Sequence, residues 1–394
     1  MAGALEGIRV VDHSSVVMGP LAAQILGDMG ADVIKVEHGK GDTNRHMGGG
    51  PLPGLSGIAM TVNRNKRSVS LDLKSPAGRD AFLRILGTAD VLVTNVRPKA
   101  MRGLMLAYDD IATQFPRLVY CQAQGFRAGT PDEDRPAYDD IIQAATGMAN
   151  FAQATTGHTS FVPSIIADKV SGMTIVQAVL AALLHRERTG LGQRVEVPMF
   201  DAVLAFNLAE NLSRAVIPGQ PSGYNRILMS TRGPHRTADG HVAIMPYEEK
   251  HWKAIFDHIG RSAELEEPWF ADRARRTENA EYTYGRLAEV IATRSTSEWL
   301  QFAAENDVPV NAVPHLDEVI AEESLHRGMI VEREHPQAGP YRSVRPAIIM
   351  DGSPLTVRRD APVVGEHTRE ILAEAGFGAE EIESMLSSGV AVQA

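Results

Sequence analysis

From Ile8 to Phe126 the chain alternates short apolar runs with stretches of helical spacing, and this restricts the fold more than any other feature. "IRVVDHS" is an apolar run ending in polar residues, "PLAAQILGDMG" carries helical periodicity, and "ADVIKVE" is a second buried-strand pattern. The unit repeats in "SPAGRDAFLRILGTADVLVTNV", where Ser75 can cap a helix with Pro76 at its first position and Val91 to Val93 begin the next strand. "RLVYCQAQGF" and "QRVEVPMF" supply further strands. Strands alternating with helices predict an α/β fold with a doubly wound, Rossmann-like parallel sheet, whose ligand sites lie beyond the carboxyl ends of the strands. That directs attention to Asp12–Gly19, Glu37–Arg45, Asn95–Arg97 and Gln124–Tyr138.

Between Asp42 and Lys66 the chain is rich in Gly, Pro, Asn and Arg, and reads as a mobile loop, either a plain surface connection or a functional one. A long helix is expected from near Lys169 to Gly190, another from Asp201 to Arg214, and one opening at the capping box Ser295–Glu298. The pattern divides the 394 residues into a large domain at 1–225, a smaller one at 226–329, and a C-terminal segment at 330–394 that returns to the large domain through two helices joined across Gly376 and Gly378.

The charge balance, 39 basic against 49 acidic residues, is spread along the chain and argues against a nucleic-acid surface. Cys121 stands alone, which rules out an internal disulfide and fits a reducing, cytoplasmic compartment. The apolar run "AVLAALL" is far short of a membrane span, so neither a membrane nor a nucleic-acid partner is expected.

No Gly-x-Gly-x-x-Gly follows the first strand, which removes most support for a dinucleotide dehydrogenase. The 13 histidines show no zinc-type pairing, and no metal site is expected. There is no Gly-x-Ser-x-Gly elbow, and Cys121 lies inside an apolar strand pattern. Carboxylates remain. In "PSIIADKVSGMTIVQAVLAALL" the single acid is Asp168, at the start of a long helix. Residue pattern alone allows either an N-cap, worth about 1 kcal/mol, or a reactive group.

The segments "GIRVVDHSSVVMGPLAAQILGDMGADVIKVE", "NRNKRSVSLDLKSPAGR", "LVTNVRP", "RPAYDDIIQAATGM", "IADKVSGMTIVQAVLAALLHRERTGLGQRVEV", "RTADGHVAI" and "APVVGEHTREIL", in this order, resemble the class III coenzyme A transferases, the formyl-CoA and carnitine CoA transferase (CaiB/BaiF) family. The resemblance runs from about residue 5 to the C-terminus. It implies an interlocked homodimer of Rossmann-like large domains and smaller α/β domains. It also implies that Asp168 is the nucleophile, attacking an acyl-CoA thioester to give a mixed anhydride and then an aspartyl-CoA thioester. The helix N-terminus would favour the ionised carboxylate by about 0.3–1 kcal/mol.

By position, the resemblance places CoA contacts at Val17, Met18, His38, Leu71, Asp72, Lys74, Asn95, Val96, Arg97, Arg102, Gly103, Ala137, Tyr138 and Asp139. Coenzyme A enters as substrate, and no tightly bound cofactor is implied. Formyl-CoA transferases carry Gln where Val17 stands and a glycine-rich loop where this chain reads "LMSTRGPH", which argues against formate and oxalate. The related α-methylacyl-CoA racemases have His where Asp139 stands, which argues against epimerisation. The expectation is CoA transfer from a donor such as succinyl-CoA to a small carboxylic acid. Arg45, His46, Arg226, Arg232 and His235 are candidates to meet a distal carboxylate. A racemase of the same fold and a non-catalytic CoA-binding protein are the alternatives.

Overall fold

The computed structural model describes residues 2–270 and 272–394. Along the chain come β1 (Arg9–His13), α1 (Met18–Asp28), β2 (Asp32–Glu37), α2 (Gly57–Val62), β3 (Lys66–Leu71), α3 (Pro76–Leu86), β4 (Val91–Thr94), α4 (Pro98–Gly103), α5 (Tyr108–Ile111), β5 (Val119–Gln124) and α6 (Asp139–Ala145). They are followed by α7 (Met148–Thr156), α8 (Ile166–Thr189), β6 (Arg194–Pro198), α9 (Met199–Asn211), β7 (His235–Arg236), β8 (His241–Ile244), α10 (Glu249–His258), α11 (Arg273–Glu278), α12 (Ala280–Ile291) and α13 (Thr296–Asn306). The chain closes with β9 (Val310–Ala312), α14 (Leu316–Glu322), β10 (Ile330–His335), β11 (Gly339–Val344), α15 (Thr368–Glu374), α16 (Ala379–Ser387) and β12 (Ala391–Val392).

A seven-stranded sheet runs in the order β12-β3-β2-β1-β4-β5-β6. β1 to β6 are mutually parallel, and β12 joins antiparallel to β3 with Ala391 opposite Leu71. The order reverses direction between β1 and β4, and the carboxyl ends at such a reversal open a crevice. The parallel strands are covered on both faces, so β4 and β5 are buried at every residue and read as apolar runs. β3 is equally buried although its sequence is KRSVSL, because Lys66 and Arg67 are neutralised by partners distant in sequence.

Two compact units emerge: Met1–Thr146 with Val162–Phe206 and Glu323–Ala394, and Gly147–Phe161 with Asn207–Glu322. The smaller unit thus combines α7 with the stretch Asn207–Glu322, beside the 226–329 expected from the sequence. Its core is aromatic, with Trp252, Phe256, Trp269, Trp299 and Phe302 buried together. In the larger unit Ile371, Leu372, Phe377, Ile382 and Met385 of the C-terminal segment pack with Val11, Leu71, Phe82 and Leu92. This cluster fastens the chain end to the sheet.

Local signals act as their chemistry dictates. Ser75 Oγ accepts from the Gly78 N–H at 3.0 Å with Pro76 in the first turn, and Ser295 and Glu298 form a reciprocal capping box. The stretch 42–66, expected as loop, carries helical turns. It contains a 3₁₀ turn at Thr43–His46 capped by Asp42 and the helix α2 capped by Ser56, with Asn44 and Arg45 buried. α8 has 24 residues and, by length and composition, could cross a membrane, yet half of its apolar stretch is buried within the unit. Arg186, in its last turn, is drawn inward by Asp90 at 2.9 Å.

Candidate active site

α8 starts at Ile166, one turn earlier than the sequence suggests, and its N-cap is Ile165, which has no capping side chain. Asp168 is therefore not the cap. It sits inside the first turn with 8% of its surface exposed. Its backbone N–H donates to Asp139 Oδ2 at 3.0 Å, so a carboxylate from α6 performs the capping and leaves the Asp168 carboxylate free of that duty. Asp139 Oδ1 in turn accepts from Gln143 Nε2 at 2.6 Å, and Gln143 Oε1 accepts from the Val162 N–H at 2.9 Å.

Among the described residues no cation pairs with Asp168. Burial, reinforced by the neighbouring Asp139 carboxylate, pushes its carboxyl up to about 6, and the Met18 N–H, donating to it, pulls the other way. A carboxyl near 6 is still roughly nine-tenths ionised at pH 7 while being more basic than a surface aspartate.

Met18 is brought to Asp168 by a tightly held turn between β1 and α1. Val16 has φ 69°, a left-handed conformation unusual for a β-branched residue, which costs about 1–3 kcal/mol. Side chains from other elements impose it. Asp42 Oδ1 accepts from the Val16 N–H at 2.9 Å, and Asn44 Nδ2 donates to the Val16 carbonyl at 2.8 Å. Asn95, beyond β4, clasps Ser15 through two bonds of 2.8 Å, one to its N–H and one to its carbonyl. Two glycines permit the close approach. A Cβ at Gly19 would lie 2.3 Å from Ser14 Cβ, and one at Gly172 would lie 2.9 Å from the Met18 carbonyl oxygen.

Beneath this turn lies a buried set of charges that pattern reasoning missed. Lys66 Nζ is 2.7 Å from Asp12 Oδ2, and Lys35 Nζ is 3.1 Å from Asp42 Oδ2 and 2.9 Å from the Ser14 carbonyl. Burial acts to raise the Asp12 carboxyl, but Lys35 and Lys66 override it and hold it at about 2. Burial lowers Lys66 to about 8. The available signal was a lysine inside the apolar run VIKVE, where only a buried partner makes the charge tolerable. Arg45, proposed for a substrate carboxylate, is instead 1% exposed and locked to Glu37 by two bonds of 2.6 Å.

At the sheet reversal a cavity of about 270 Å³ opens over the ends of β1 to β4. Of the anticipated CoA contacts it gathers His38, Leu71, Asp72, Lys74 and Val96, and it adds His13, Ser14, Ser15 and Leu104. His13 falls in the stretch singled out after β1, but no motif marked it. Burial lowers it to about 4, and its Nδ1 has no partner among the described residues. Val17, Met18 and Asp139 lie away from this cavity wall: Asp139 accepts from the Asp168 N–H, the Met18 amide acts on the Asp168 carboxyl, and Val17 is the buried N-cap of α1. Arg97 is the exposed N-cap of α4, Gly103 is exposed, and Arg102 sits 3.8 Å from Glu133. Tyr138 is 68% exposed, and Ala137 packs so closely on Gly125 that a Cβ there would be 2.3 Å from its own. His46 is exposed with Nε2 at 3.1 Å from the Lys40 carbonyl oxygen, while Arg226, Arg232 and His235 belong to the smaller unit.

This arrangement can be set beside known proteins. The sequence model of the family described as CoA-transferase family III matches residues 5–368. Rv3272 of Mycobacterium tuberculosis, named a probable fatty acyl-CoA transferase, is 34% identical over 317 residues, 77% of this chain and 80% of its own. Its orthorhombic crystal structure superposes with a TM-score of 0.81 and 30% identity, covering 94% of this chain and 99% of that one. A formyl-CoA:oxalate CoA-transferase of Afipia carboxidovorans is 30% identical over 99% of this chain and 98% of its own. A succinate–glutarate CoA-transferase of Agrobacterium fabrum is 30% identical over 94% and 95%. With a parallel sheet, a crevice at its reversal and a family match over most of its length, the chain belongs to CoA-transferase family III.

Proposed function

We propose that this protein moves CoA from an acyl-CoA donor such as succinyl-CoA to a small carboxylic acid, with Asp168 as the nucleophile. The observation that carries this reading is a buried carboxylate in the first turn of α8 that has no cationic partner among the described residues, its N-cap duty taken by Asp139. Its attack on the thioester carbonyl breaks the C–S bond, releasing CoA thiolate and leaving a mixed anhydride on Asp168. The thiolate then attacks the Asp168 carbonyl of the anhydride and expels the donor acid, giving an aspartyl-CoA thioester. The acceptor carboxylate attacks that thioester, CoA thiolate leaves again, and a second anhydride forms. Thiolate attack on its acceptor carbonyl gives the new acyl-CoA and restores the Asp168 carboxylate. The Met18 N–H beside the carboxylate would receive the negative charge that develops on the Asp168 oxygens in the second and third steps, where the tetrahedral centre is the Asp168 carboxyl carbon.

In this reading the crevice over β1 to β4 takes part of the CoA, with His38, Leu71, Asp72, Lys74 and Val96 on its wall and Arg97 and Arg102 at the surface for phosphate groups. A dicarboxylate acceptor fits two relatives, one named for oxalate and one for succinate and glutarate. Val17 in place of glutamine speaks against the formate and oxalate pair. Epimerisation needs a second base at the substrate α-carbon. Asp139 is a poor one, since it is tied to the Asp168 N–H and to Gln143. We further propose a cytoplasmic, interlocked homodimer, in which a partner covers Met173, Leu184 and Phe206, apolar residues at least half exposed on the single chain. The test is CoA exchange between labelled acids across a panel of acyl-CoA donors. Exchange by Asp168→Ala at the wild-type rate removes the mechanism.

A further inference from the structure

The smaller unit contains a cavity of about 80 Å³ that the catalytic reading does not use. That is several times what one water requires. Arg226 and Arg276 line it together with Thr283, Tyr224, Tyr284 and Trp252. Arg226 lies over the Tyr247 ring at 5.2 Å, its Nη2 donates to Met245 Sδ at 3.4 Å, and the neighbouring Tyr224 and Tyr284 hydroxyls favour its charged form. Arg276 is 7% exposed, and its Nη1 donates to the Phe270 carbonyl at 2.9 Å. The wall also includes Ala280 and Thr283, in the first turns of the 12-residue α12, whose N-cap Asn279 makes no side-chain capping bond.

Thr283 supplies an independent signal. Its side chain is fully buried, and its hydroxyl has no hydrogen-bond partner among the described residues. A buried hydroxyl left unpaired costs stability, and a ligand acceptor at the cavity would remove that cost. Nearby acids are largely committed elsewhere. Glu281 accepts from Ser230 Oγ at 2.9 Å, and Glu249, with its side chain 71% exposed, accepts from Arg276 Nη2 at 3.4 Å, which leaves Arg226 as the guanidinium without an acidic partner among the described residues. Two guanidinium groups, a helix N-terminus and an unpaired hydroxyl form a set that accepts negative charge on oxygen.

We infer that this cavity binds a small oxyanion, a carboxylate or phosphate group, using residues of the smaller unit alone. All three tryptophans of the chain, Trp252, Trp269 and Trp299, belong to this unit, so tryptophan emission reports on it selectively. The experiment titrates the full-length protein with sodium succinate, sodium oxalate, inorganic phosphate and CoA at constant ionic strength, with chloride as the control. Saturable emission change is expected, weakened about tenfold or more by Arg226→Gln and about fivefold by Thr283→Val. The valine variant is nearly isosteric and removes an unpaired group, so its fold is retained. Saturation by succinate or oxalate assigns the site to carboxylates, and saturation by phosphate or CoA assigns it to phosphate groups. Asp168→Ala is expected to leave the titration unchanged. Absence of saturation, an equal response to chloride, unchanged affinity in both pocket variants, or loss of the response in Asp168→Ala overturns the inference.

Discussion

Replacing Asp168 with asparagine should abolish transfer and at the same time stabilise the protein. The native carboxyl titrates near 6 against an ordinary value of 3.8, a difference of about two units. At 1.36 kcal/mol per unit this is about 3 kcal/mol, applicable because the side chain is buried. The direction follows from proton binding. An acid whose native pKa is raised holds its proton more tightly when folded, so ionisation works against folding. The penalty is small below pH 3.8, grows between 3.8 and 6, and is complete above 6. Asparagine never ionises, keeps an oxygen for the Met18 N–H, and removes the repulsion from Asp139. Urea unfolding of wild type and Asp168→Asn should therefore differ by up to about 3 kcal/mol at pH 7.5, shrinking below about 1 kcal/mol near pH 4. An asparagine variant no more stable than wild type at pH 7.5, or a gain that persists undiminished at pH 4, would refute the account of this carboxylate.

Other consequences follow from the same geometry. kcat/KM should rise with pH on a limb near 6 as Asp168 ionises, and Asp139→Asn, by removing a nearby negative charge, should move that limb to lower pH in a pH–rate profile. Lys66→Met leaves Asp12 with Lys35 as its remaining cation, and chemical denaturation should show a loss of about 3–5 kcal/mol. Gly172→Ala pushes a methyl group against the Met18 carbonyl, so differential scanning calorimetry should register about 1–3 kcal/mol of destabilisation and steady-state kinetics a lower kcat, because the Met18 N–H moves with its peptide.

The sheet was legible where burial and sequence agree. β1, β2, β4 and β5 read as apolar runs because parallel strands are covered on both faces. β3 escaped because its neutralising partners lie far away in sequence: Asp12 for Lys66, and Asp32, Glu370 and Glu374 for Arg67. Arg45 looked like a surface loop residue for the same reason, since nothing local announces its pairing with Glu37. The start of α8 was misplaced because a carboxylate before an apolar helix resembles a cap, while the capping oxygen comes from Asp139, 29 positions earlier. Asp168 itself was visible only through the order of motifs along the whole chain. Its raised pKa depends on burial and on contacts with Asp139 and Met18, and no local pattern encodes those.

The central claim is that Asp168 carries the reacting group. Its most direct test is peptide mass spectrometry after incubation with succinyl-CoA and rapid acid quench. The account predicts a CoA thioester on the peptide containing Asp168, discharged by hydroxylamine and absent from Asp168→Ala. Turnover without any adduct, or an adduct on another residue that persists in Asp168→Ala, would contradict it.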